Sequence, residues 1–92
     1  MNIFAALKKY GSEYELKDKR DFEESEKAQV KSASVVLSTY GKSVCFIMKS
    51  GGQTYVPVSR DSVVNIGDTV DLDKAKILTL EKDGETINRI EI

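Results

Sequence analysis

The 92-residue chain contains no histidine and no tryptophan, and only one proline and one cysteine. Without histidine, no serine or cysteine can be activated by an imidazole base. The lone Cys45 excludes an intrachain disulfide, and one thiol with no histidine cannot build a zinc site. A single cysteine fits a reducing compartment. Long hydrophobic runs are missing too: no stretch approaches the ~20 apolar residues of a membrane span. The start, Met1-Asn2-Ile3-Phe4-Ala5-Ala6-Leu7, is too short and too soon charged for a signal peptide. These absences predict a soluble, cytoplasmic protein without a membrane role, without a cofactor and without enzymatic activity. Asp68, Asp71 and Asp73 are spaced a little like a metal loop, but the glycine and distal Glu of an EF-hand do not follow. They read as solvated turn charges, so no metal site is expected. Gly51-Gly52 lacks the Gly-Lys-Ser/Thr of a phosphate loop.

Acidic residues are absent from the middle of the chain. From Lys27 to Arg60 there is no Asp or Glu, whereas Lys27, Lys31, Lys42, Lys49 and Arg60 all fall there. The formal net charge of −1 therefore hides a segregated chain. Tyr40, Phe46 and Tyr55 lie in the same stretch, among Ser, Thr, Gln and Gly. Lysines interleaved with aromatics on strands are what a single-stranded nucleic-acid platform requires. The candidate binding residues are Lys31, Tyr40, Lys42, Phe46, Lys49, Tyr55 and Arg60. A solvated face explains the lysines equally well, but it does not explain the missing acids.

Ninety-two residues make one domain. Within it, residues 1–27 read as a short helix plus a charged connector, and 28–92 as a small β-barrel. Asn2 is a suitable N-cap for a helix over 2–10, with Ile3, Leu7 and Tyr10 on one face and Gly11 beyond its end. Ser12-x-x-Glu15 resembles a capping box, but the apolar residues of 12–27 fit no period and Lys17–Lys27 is nearly all charge. From residue 28 the expected strands are Val30–Tyr40, Val44–Lys49, Gln53–Ser59, Val63–Gly67 running into Asp68–Leu72, Lys76–Lys82 and Glu85–Ile92. Ser50-Gly51-Gly52 and Asp83-Gly84 are hairpin signals. Pro57 implies a strand edge or a bulge. Five or six short strands, with no helix long enough for a crossover, predict an antiparallel barrel.

A two- or four-residue turn at Gly51-Gly52 pairs Lys49 with Thr54. One face then holds Cys45, Ile47, Val56 and Val58, assigned to the core. The other face holds Val44, Phe46 and Met48 against Tyr55, Pro57 and Ser59, an apolar aromatic patch on the outside. The N-terminal helix, a partner subunit or stacked bases could cover such a patch. An odd-numbered loop would swap the faces, placing Phe46 and Met48 in the core and Tyr55 outside with Ile47.

The order strand, turn, long hairpin, then Val64-Asn65-Ile66-Gly67-Asp68-Thr69-Val70 and a final hairpin resembles OB-fold modules, over residues 28–92. The Gly-Asp-x-Val turn also occurs in SH3-like barrels, the alternative fold. The resemblance implies single-stranded nucleic acid or oligosaccharide binding across the second and third strands, here the Val44–Ser59 hairpin. The expected function is single-stranded DNA binding, in a protein whose size suits a phage or mobile element. The alternative is a protein-interaction module, an adaptor or inhibitor, whose partner or second copy covers the same aromatic patch.

Overall fold

The computed structural model describes residues 14–39 and 41–92. Six strands and one short helix are seen among them: β1 (Glu15–Asp21), α1 (Glu24–Gln29), β2 (Val30–Ser38), β3 (Gly41–Met48), β4 (Gln53–Pro57), β5 (Lys76–Lys82) and β6 (Glu85–Glu91). The helix expected over residues 2–10 lies outside the described residues.

The strands form two antiparallel sheets, β1-β5-β6 and β2-β3-β4. Among the described residues they are joined by one parallel bridge, Val58 to Ile90, with the Ser59 N–H donating to the Ile90 carbonyl at 2.8 Å. The opposite edge of the second sheet is lined by residues 67–70. There the Val35 N–H donates to the Asp68 carbonyl and the Val70 N–H to that of Ala33. The described strands do not close into a barrel.

Val58–Ile90 is also where Pro57 finds its place. The Val58 N–H still reaches the Lys42 carbonyl of β3. By strand alternation the nitrogen of Pro57 therefore faces away from β3, where no donor is needed. The turn between β5 and β6 is the two-residue type foreseen: Asp83 has φ 51° and Gly84 φ 80°, with Lys82 paired to Glu85. Two positive φ values in succession mark a type I′ turn, which matches the twist of the strands it joins.

Further expectations fail. The described part of the expected connector, which ended at Lys27, holds β1 and the start of α1. β1 pairs with β5 along its length, and Asp21 engages Lys76 at its end. The charged, exposed sequence Glu15–Asp21 suits an edge strand, because charge there discourages pairing with another chain. Glu15, expected in a capping box with Ser12, begins this strand, and Ser12 lies outside the described residues. The box sits at α1, where the Glu26 carboxylate accepts the Glu23 N–H at 2.9 Å. Residues 63–72, expected as strands, form turns with one bridge, Thr69 to Ser34.

The core lies between the sheets. Ala33, Val35, Val44, Phe46, Val58, Val64, Val70, Ala75 and Ile90 are its buried members, with Phe22, Met48, Val56 and Ile77 packed against them. Most are small and β-branched, which suits the interior of a narrow, two-sheet molecule.

Candidate nucleic-acid interface

The faces of the central hairpin follow from its loop. Ile47 pairs with Gln53, so five residues, Met48 to Gly52, lie between. The loop is closed by the Met48 N–H to the Gly52 carbonyl (2.8 Å) and the Gly51 N–H to the Met48 carbonyl (2.9 Å). The odd loop moves the register by three, so that Thr54 faces Phe46 instead of Lys49, and this reverses the faces of β3 relative to β4. Phe46 therefore faces Ala33 and Thr54 and is 5% exposed. Its ring lies 5.9 Å from that of Phe22, tilted by 49°. The outer patch of Val44, Phe46 and Met48 does not exist: they face inward beside Val56, which keeps its expected inward place, while Cys45 and Ile47 take the other face. Phe46 cannot stack on a base without unfolding the core.

The outward face is built in rows by the same register. Ser32, Ile47 and Gln53 form one row, Ser34, Cys45 and Tyr55 the next, and Val36, Ser43 and Pro57 the third. Tyr55 stands in the middle and is 55% exposed. Its hydroxyl donates to Gln53 Oε1 at 3.0 Å. Hydrogen bonding with the facing Cys45 thiol raises the pKa of the phenol above its ordinary value. Cys45 is itself buried, beneath the row.

Lys31 and Lys49 meet at one end of this face. Lys31 is the extra residue of a bulge between Val30 and Ser32, and Lys49 follows Met48, the partner of Val30. The Lys49 N–H is fixed to the Gln29 carbonyl at 2.9 Å. Both side chains are exposed. Lys27 is not part of the group. It is held by Glu24 (2.7 Å) and Asp73 (2.8 Å), which raise its pKa.

Lys42 and Arg60 gather at the far end of β3. Lys42 Nζ donates to the Val64 carbonyl at 2.6 Å, and both residues line a basin with Ser59, Ser62 and Arg89. Of the candidate residues, then, Lys31, Lys49 and Tyr55 share or border the outward face. Lys42 and Arg60 share a basin, Phe46 is in the core, and Tyr40 lies outside the described residues. Arg89 escaped the sequence reading because it sits in an acid-rich flank. Only the parallel pairing of Val58 with Ile90 brings it beside residues 58–62.

A second concavity, of about 510 Å³, opens between the sheets. Phe22, Phe46 and Met48 line its floor, and Arg20, Glu26 and Asn88 are among its polar lining. Arg20 grips Glu26 through two bonds of 2.6 and 3.0 Å. Among the described residues, no three His, Cys, Asp or Glu side chains converge as a metal site would require, and no helix is long and apolar enough to cross a membrane.

Compared with protein-family models, with curated proteins and with solved structures, the chain shows no significant match.

Proposed function

We propose that the protein is an OB-type module that binds single-stranded nucleic acid, single-stranded DNA in the first instance, across the outward face of β2, β3 and β4. The observation that carries this reading is Tyr55. It is exposed on β4, in the middle row of a three-stranded face whose strands contain no acid, with Lys31 and Lys49 at one end. A base can stack on the ring, and phosphates can meet the lysines. The strand sequence across the molecule supports the OB reading. Read through the Val58–Ile90 link it runs β2-β3-β4-β6-β5-β1, and β1 leads back through α1 into β2. The exposed Gln53 and Ser32 and the half-buried Ser34 are polar without being charged, which suits a surface indifferent to base identity.

The test is a titration of labelled oligo-dT by anisotropy at two salt concentrations. Binding that weakens steeply with salt supports phosphate contacts. No binding at low salt removes this reading.

A second reading, self-association, is favoured by a different surface. Leu16 is 52% exposed on the outer side of the first sheet, in one row with Leu80 and Ile87. Apolar side chains grouped on an outer sheet face are a common mark of an interface. Sedimentation of the wild type and of Leu16→Glu decides it: a dimer lost in the variant supports a second copy there.

A further inference from the structure

The basin at the far end of β3 is a site of a different kind from the Tyr55 face. It encloses about 400 Å³ and gathers three cationic side chains, Lys42, Arg60 and Arg89, with the hydroxyls of Ser59 and Ser62. The described residues that line it include no Asp or Glu. A cleft lined by charge of one sign focuses the field and raises the local concentration of the opposite ion, here an anion.

Two of the three, Lys42 and Arg89, are held by carbonyls. Lys42 Nζ donates to the Val64 carbonyl at 2.6 Å and Arg89 Nη1 to the Val58 carbonyl at 3.2 Å. A carbonyl fixes the side chain in place but leaves its charge unneutralised. It also uses one donor of three on the lysine and one of five on the arginine. The nearest acid in sequence to Arg89, Glu91, is drawn off by Lys19 at 2.7 Å.

The serines complete the donor set. Ser62 Oγ accepts the Ile92 N–H at 2.9 Å and lies 2.8 Å from Ser59 Oγ. If Ser62 donates to Ser59, the Ser59 hydroxyl hydrogen is left to point at a ligand, although Ser59 is buried. Guanidinium forks, an ammonium and a hydroxyl around one centre match the several acceptor oxygens of a phosphate group.

We propose that this basin binds a phosphate group, supplied by the nucleic-acid strand that crosses the neighbouring face. The source of the phosphate rests on the proposed function; the chemistry of the basin does not.

The test is a titration of the ¹⁵N-labelled full chain with inorganic phosphate, followed by oligo-dT with and without a 5′-phosphate. The proposal expects saturable phosphate binding that moves the amides of Lys42, Ser59, Ser62 and Arg89 together. Arg89→Gln weakens it about tenfold or more. Lys74→Gln, which removes an equal charge from an exposed turn, leaves it unchanged. Oligo-dT moves the same amides, with the 5′-phosphate strengthening the effect if a strand end is seated and making no difference if an internal phosphate is. Phosphate shifts that are absent, or spread without saturation over all lysines, overturn the basin, whatever oligo-dT does at Tyr55. Saturable phosphate binding with no response of these amides to either oligonucleotide overturns the strand as the source. Phosphate binding in a protein that ignores oligo-dT altogether leaves the basin standing and defeats the Tyr55 reading.

Discussion

The ring of Phe46 on β3 packs against that of Phe22, just beyond β1, at 5.9 Å and 49°. This tilted pair ties the two sheets together where α1 leaves the first and enters the second. Phe46→Ala should therefore act on folding, at a cost of ~3–5 kcal/mol from lost burial and the cavity left behind. Chemical denaturation of the variant checks this. A stable Phe46→Ala protein with impaired oligonucleotide binding would return the residue to the surface.

The β5–β6 turn gives a local prediction. Gly84 has φ 80°, a conformation costly for a β-branched residue. Gly84→Val should destabilise by ~1 kcal/mol or more. Gly52, in the neighbouring hairpin loop, has no positive φ and open space where a Cβ would stand, so Gly52→Ala should be nearly neutral. Thermal melts of the two variants should separate; coincident melts would contradict the turn assignment.

The Arg20–Glu26 pair makes stability depend on pH. The Arg20 guanidinium, with help from the Glu23 N–H, holds the Glu26 carboxyl down to about 2, from an ordinary 4.5. A depressed carboxylate stabilises the fold above its unfolded value, and the contribution disappears as pH falls from about 4.5 towards 2. Both side chains remain more than a third exposed or close to it, so water screens the pair and the contribution is ~1 kcal/mol or less. Arg20→Gln should melt lower than the wild type at pH 7 and together with it at pH 2. A constant gap between the two across that range would rule the pair out.

The sequence was informative where local chemistry decides the backbone. Asp83-Gly84 predicts its turn because few other residue pairs adopt two positive φ values, and Lys76–Lys82 follows from its own alternation. Ser50-Gly51-Gly52 announces a hairpin but not its length. The loop takes in Met48 and Lys49, and one residue more or less reverses the fate of Phe46. β1 was hidden because an edge strand covered by charge has the composition of a connector. Arg89 was hidden because its place beside Arg60 depends on a pairing between residues more than thirty positions apart. The acid-free stretch takes in all three strands of the second sheet, so Tyr55, Lys31 and Lys49 fall within it.

The lysines should differ from one another by where they stand. Lys49→Ala should flatten the dependence of oligonucleotide binding on salt by close to one phosphate contact. Lys27→Ala should leave that slope unchanged, because Lys27 is occupied by Glu24 and Asp73. Anisotropy titrations over a range of salt concentrations measure both slopes. Equal slopes for the two variants would mean that position on the face is irrelevant.

The most direct measurement is the affinity of Tyr55→Ala for oligo-dT, at low and at moderate salt, beside the wild type. Tyr55 is exposed and outside the core cluster, so the variant should keep its melting temperature within a narrow margin. Stacking is not ionic, so binding should weaken by ~1–3 kcal/mol at both salt concentrations. A folded Tyr55→Ala protein that binds oligo-dT as tightly as the wild type would contradict the proposal that this face is the platform.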